Sequence, residues 1–225
     1  MCKTVIRFKY ERGRELKYLA HLDMMTLFER ALKRAGIDVA YSQGYNRRPR
    51  LVFGMPISLG MISKAEYADI TLQSNVSCLD FIDRLNRKLP EGAKIIEAAY
   101  IDGKRNIMSA VAFARYRIVL RSPMELDDAI KKLMNMDEVL VRKEKKGQVT
   151  MKDIRRGIIS AGIFDGDICL LSTSGSEGNI KPEEFLKALE RFSEQRIIVK
   201  DLIREELYLS DEKGRPVLPF AERAV

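Results

Sequence analysis

Two stretches near the start, Thr4-Val5-Ile6-Arg7-Phe8-Lys9-Tyr10 and His21-Leu22-Asp23-Met24-Met25-Thr26-Leu27-Phe28-Glu29-Arg30-Ala31-Leu32-Lys33-Arg34-Ala35-Gly36, carry the pattern from which the rest of the chain is read. In the first, Val5, Phe8 and Tyr10 alternate with Arg7 and Lys9. That is the period of a half-buried strand, and Glu11-Arg12-Gly13-Arg14 supplies the turn after it. In the second, His21, Met25, Phe28 and Leu32 recur at 4-3-4 spacing, while Glu29, Arg30, Lys33 and Arg34 fall on the other side. Gly36 ends the run. The expectation is a strand followed by an amphipathic helix with a basic outer face.

Working outward, short apolar runs at Val39–Ser42 and Leu51–Ile57 precede a strand over Tyr67–Leu72, a helix over Ser77–Leu89 and a strand over Lys94–Ile101. The polar, turn-rich stretch Asp102-Gly103-Lys104-Arg105-Asn106 is the best boundary. The pattern then restarts. Phe113–Leu120 alternates like a strand, and Pro123 opens a helix through Met136. Glu138–Glu144 and Gln148–Lys152 flank the turn Lys145-Lys146-Gly147. A strand at Ile168–Ser172, a helix from Pro182 to Ser193 and a strand over Ile197–Leu209 complete the chain. Two successive βαββαβ passes predict an α+β fold of two tandem ferredoxin-like halves, residues 1–104 and 105–225, forming an α/β sandwich.

The 225 residues, 46% of them hydrophobic, suffice for globular cores. No run approaches the roughly 18 apolar residues of a membrane span, and Met1-Cys2-Lys3 leads straight into strand alternation, so a cytoplasmic protein is expected. The three cysteines, Cys2, Cys78 and Cys169, are scattered and make no metal-ligand spacing; they read as reduced thiols. The net charge of +8 is unevenly spread: residues 1–50 hold 12 Lys/Arg against 5 Asp/Glu. A concentrated basic surface favours a polyanion, and nucleic acid is the commonest one.

His21 is the only histidine, so any imidazole chemistry passes through it. It stands at a helix start with Tyr18 before it and Asp23 after, which makes it a candidate proton-transfer group for RNA cleavage. Its place on the apolar stripe equally suits a half-buried packing residue. The segment Tyr41-Ser42-Gln43-Gly44-Tyr45-Asn46-Arg47-Arg48-Pro49-Arg50 is the most unusual in the chain. Arg47, Arg48 and Arg50 offer guanidinium forks for phosphates, Tyr45 a stacking plane, and Gln43 and Asn46 amides for base edges. These arginines are expected to share one electropositive concavity with Arg30 or Arg34. A solvated basic loop is the plainer reading. Farther on, Arg142-Lys143-Glu144-Lys145-Lys146-Gly147 reads as a basic hairpin tip, and Ser172–Asn179 as a turn before a helix. The latter lacks the Gly-Lys-[Ser/Thr] of a phosphate loop.

Read together, Tyr18-Leu19-Ala20-His21-Leu22-Asp23-Met24-Met25, Phe28–Gly36, Tyr41–Arg50 and Pro56-Ile57-Ser58-Leu59-Gly60 closely resemble the bacterial radical-SAM-linked family called domain of unknown function 2344. Glu66-Tyr67-Ala68-Asp69-Ile70, Met151-Lys152-Asp153-Ile154-Arg155 and Gly175–Pro182 look like its later blocks, and Ala20 stands where relatives often have a helix-capping Ser. The resemblance implies an accessory to a radical SAM protein, which would itself carry the iron–sulfur cluster and SAM. This chain has no such cofactor site by sequence, because the cluster needs three closely spaced cysteines. Joined to the basic loop, the resemblance suggests an accessory that binds RNA, tRNA or rRNA, for a modification enzyme. Two other classes stay open. One is a metal-independent endonuclease similar in outline to CRISPR-repeat RNA endonucleases and using His21, although their glycine-rich C-terminal loop is not evident. The other is a protein–protein adaptor. A pseudouridine synthase would need a catalytic Asp that Gln43–Arg50 lacks.

Overall fold

The computed structural model describes residues 4–103, 105–145, 147–175 and 178–220. These form a mixed α+β protein dominated by antiparallel strands, in two units: residues 1–111 with 206–225, and residues 112–205. Cys2 and Lys104, and Ser176 and Glu177 of the turn before the last helix, lie outside the described residues. Among the described residues no helix is long and apolar enough to cross a membrane.

The first unit contains β1 (Thr4–Arg12), α1 (His21–Arg34), β2 (Leu51–Phe53), β3 (Ile62–Leu72), α2 (Cys78–Asn86), β4 (Ala93–Ile101) and a one-turn α3 (Ile107–Ala110). Its strands lie in the order β4-β1-β3-β2, each pair antiparallel. The alternation of β1 decides what each face does. Ile6, Phe8 and Tyr10 point to the face covered by α1 and α2, where Phe8 meets Phe28 and Phe81 with ring centroids 5.7 and 5.4 Å apart. Arg7 and Lys9 point to the other face.

Helix α1 buries Met24, Phe28, Ala31 and Leu32, a stripe turned by about one residue from the 21-25-28-32 reading. Met24 and Met25 are equally apolar, so the periodicity admits both, and packing against Phe8 and Tyr10 selects Met24. Ala20 provides no side-chain cap for α1. By contrast, the Ser77 hydroxyl accepts the Asp80 N–H and caps α2. Before α1, the buried Arg12 side chain donates to the carbonyls of Leu16, Lys17 and Leu19, holding the 3-10 turn that aims the helix.

On the opposite face, Arg7 and Asp69 form a buried bidentate pair, and the Asp69 carboxylate also accepts the Ile107 N–H at 2.7 Å. Arg7 donates further to the carbonyls of Pro219 and Arg105. Beside it, the Tyr67 hydroxyl donates to Glu206 at 2.7 Å and Lys9 pairs with the same carboxylate at 2.6 Å.

The second unit carries most of β5 (Val111–Leu120), then α4 (Asp127–Met134), β6 (Leu140–Lys145), β7 (Gln148–Asp153), β8 (Ile158–Phe164), β9 (Asp167–Thr173), α5 (Pro182–Ser193) and the first part of β10 (Val199–Ser210). Strand β10 ends in the first unit, where it pairs with β11 (Pro216–Val217). The order is β10-β5-β9-β8. The two segments read from the sequence as flanking a turn, Glu138–Glu144 and Gln148–Lys152, correspond to β6 and β7, which form a two-stranded sheet of their own. The place beside β9 is taken by β8, which the alternation does not announce. Helix α5 opens as expected, with Pro182 in its first turn and the Glu184 carboxylate accepting the Lys181 N–H.

Candidate nucleic-acid interface

The segment 41–50 is a closed loop pinned at its neck. Tyr41 bridges Pro49, the Ser42 N–H donates to the Arg48 carbonyl at 2.9 Å, and the Arg48 N–H donates back to the Ser42 hydroxyl at 3.1 Å. Below the neck, Arg50 N–H donates to Ala40 O, and Arg50 O accepts from Thr71 of β3, so the loop is bolted to the sheet by main-chain bonds. Gly44 at the tip has φ +117°, a backbone conformation that side chains rarely adopt. With its backbone held in this way, the loop projects its side chains outward, and Tyr45 is fully exposed.

Tyr45, Asn46, Arg47 and Arg48 face Leu22, Met25, Thr26 and Glu29 of α1 across a cleft of ≈ 660 Å³. Arg48 also lines a second cavity of ≈ 330 Å³, together with Ser42, Arg50 and Asn106, whose floor includes Asp69. Arg30 and Arg34 do not join them. They line a third cleft of ≈ 520 Å³ with Asp23, Lys88 and Pro90, and Thr26 forms a wall of both this cleft and the first. The single concavity expected from the sequence is therefore split by the exposed ridge of α1. The reason is helical geometry: Glu29 and Arg30 are neighbours in sequence but about 100° apart around the axis.

The arginines divide by use. Arg7, Arg12 and Arg84 spend their guanidinium groups on protein carbonyls and carboxylates, and Arg34 donates to the Lys88 carbonyl. Arg47, Arg48 and Arg50 have no side-chain hydrogen bond or ion pair among the described residues. Gln43 lines none of these three cavities. Guanidinium groups left unengaged beside an exposed tyrosine suit phosphates and base faces.

His21 is half-buried at the first position of α1, its ring edge-on to Phe53 at 5.7 Å and 84°. It packs at the rim of the core, outside the arginine cleft. Leu22, Met25, Thr26 and Glu29 belong to the cleft, yet nothing in the sequence singles them out, since each looks like an ordinary member of an amphipathic helix. Tyr18 and Leu59 stand exposed near the start of α1, with the Lys17 ammonium 5.1 Å from the Tyr18 ring centroid.

The second unit has its own groove of ≈ 420 Å³, between the β6-β7 hairpin and α5, lined by Arg142, Glu144, Met151, Lys187 and Arg191. Arg191 is partly spent on the Leu140 carbonyl, and Arg142 lies 3.9 Å from Glu144. The turn around Ser174 and Asn179 closes through Gly175 N–H to Gly178 O. Among the described residues no group of three or more His, Cys, Asp or Glu is placed to hold a metal ion. Burial pushes the thiols of Cys78 and Cys169 up from their ordinary range.

A family model described as an uncharacterized protein conserved in bacteria, domain of unknown function 2344, matches residues 5–182. That span includes α1, the whole 41–50 loop and the clefts they line. No curated protein matches the sequence.

Proposed function

We propose that this chain, which belongs to the family of bacterial proteins called domain of unknown function 2344, is a cytoplasmic RNA-binding accessory protein that presents tRNA or rRNA to a partner radical SAM modification enzyme. The RNA part rests on one observation: the side chains of Arg47, Arg48 and Arg50, on a loop braced by main-chain bonds, make no hydrogen bond or ion pair among the described residues and flank the exposed Tyr45. A rigid loop loses little entropy when it binds, so its arginines deliver their charge efficiently. The partner part rests on the motif resemblance alone. The iron–sulfur cluster and SAM belong to that partner, and this chain supplies binding and orientation.

The architecture proposed with it is a tandem of ferredoxin-like βαββαβ halves. The orders β4-β1-β3-β2 and β10-β5-β9-β8 support it, each with two helices in its crossovers and with the β6-β7 hairpin inserted in the second.

The experiment is crosslinking in a native bacterial host, followed by sequencing of the attached RNA and identification of the copurifying proteins. Enrichment of tRNA or rRNA together with a radical SAM protein is the expected result. A stable protein partner with no crosslinked RNA would replace this reading with that of an adaptor.

A further inference from the structure

Glu29 is out of place in a cleft built for phosphate. It lines the same ≈ 660 Å³ space as Arg47 and Arg48, is half-buried, and has no hydrogen bond or ion pair among the described residues. A carboxylate there repels phosphate, so if it contributes to binding, it does so through a different part of the nucleotide.

We infer that this cleft selects an unpaired guanine, with Glu29 as the group that reads the base; the inference rests on the RNA-binding reading above and names its substrate. The reasoning is a matter of donors and acceptors. An ionised carboxylate only accepts hydrogen bonds, through two oxygens side by side. On its Watson–Crick edge guanine presents two adjacent donors, N1–H and N2–H. Adenine and cytosine each set a ring-nitrogen acceptor beside their amino donor, and uracil flanks its single N3–H with two carbonyls. Guanine alone therefore fills both oxygens without setting a lone pair against the carboxylate. The other walls complete a nucleotide site. Tyr45 offers a face for stacking, Leu22 and Met25 an apolar floor, and Arg47 and Arg48 reach the flanking phosphates. The volume lies within the roughly 300–1,000 Å³ of ligand pockets, enough for one nucleotide. Base edges are accessible in this way only in single strands, loops and bulges.

The test is fluorescence anisotropy of the full chain with labelled single-stranded hexamers: hexauridylate, and the same oligomer with one central G, A or C. The G-containing hexamer should bind roughly tenfold or more tightly than the others, the discrimination usual for a bidentate base contact. Glu29→Gln puts a donor in place of one acceptor and should erase that advantage, while hexauridylate binds as tightly as before or more tightly, because the charge that repels phosphate is gone. Glu29→Ala should do the same, with helical circular dichroism confirming that both variants fold. Equal affinity for all four hexamers, or a guanine preference that survives in both variants, overturns the guanine assignment and leaves RNA binding standing. Absence of binding to any hexamer by folded protein at low salt, or polyglutamate bound as tightly as RNA, overturns both.

Discussion

Arg7 and Asp69 meet in a bidentate pair, Nε to Oδ1 at 2.8 Å and Nη2 to Oδ2 at 3.1 Å, in a pocket where neither side chain is more than 5% exposed. The pair joins the middle of β1 to β3, and through the Ile107 N–H and the Pro219 carbonyl it also ties down α3 and the chain after β11. A buried ion pair is a weak source of net stability, because desolvation cancels much of the attraction. Breaking one is a different matter. Asp69→Ala removes the bidentate carboxylate from the buried Arg7 guanidinium and this acceptor from the Ile107 N–H, so a loss of about 3–5 kcal/mol is expected from urea unfolding. A change below about 1 kcal/mol would mean that the pair is solvated.

Tyr67 should make stability fall in alkali. Burial, and then the Glu206 carboxylate that accepts its hydrogen bond, push the Tyr67 hydroxyl well above the ordinary tyrosine range. The folded protein therefore keeps this phenol protonated at a pH where the unfolded chain ionises it. The contribution is complete below about pH 10, the unfolded value, and is lost progressively as pH rises beyond it. Tyr67→Phe should remove that part of the alkaline slope and cost about 1 kcal/mol at neutral pH for the missing hydrogen bond. The measurement is chemical unfolding as a function of pH, and an unchanged slope would contradict the assignment.

The loop arginines should matter for RNA and little for folding. Replacing Arg47, Arg48 and Arg50 together by Ala should flatten the log–log salt dependence of RNA affinity by about 0.7 for each phosphate that is no longer neutralised. The urea midpoint should barely move, since surface substitutions without partners stay within about 0.5 kcal/mol each. Arg30→Ala, across the α1 ridge, should affect the slope less. A full slope in the triple variant would move the weight to an adaptor role.

His21 should behave as a packing residue. Its edge-on contact with Phe53 is worth about 0.5–1.5 kcal/mol beyond the area it buries, and His21→Ala should cost roughly that in thermal or urea unfolding. Wild-type protein incubated without metal should leave total cellular RNA intact. Site-specific 2′,3′-cyclic phosphate ends that vanish in His21→Ala would instead assign His21 to catalysis.

Much of this protein is written in local pattern. The alternation of Thr4–Tyr10, the helix His21–Arg34 and the Pro182 start of α5 follow from periods of two and 3.6 and from cap and turn chemistry, which act between near neighbours. The composition of 41–50 likewise singles out the loop that bears the unengaged arginines. What the tertiary structure decided depends on residues far apart in the chain. Strand β8 has half-exposed and exposed positions in irregular order, so it carries no readable alternation and exists because β9 pairs with it. The β6-β7 hairpin has the right sequence for sheet strands, yet Val149 and Met151 remain exposed, and among the described residues its two strands pair with each other alone. Asp69 looks like any strand carboxylate until the fold sets it opposite Arg7, and Glu29 like any solvated helix residue until the fold sets it across a cleft from Arg47 and Arg48. Local propensity specifies elements, but which side of α1 an arginine occupies, and which carboxylate is buried, depend on packing between segments dozens of residues apart.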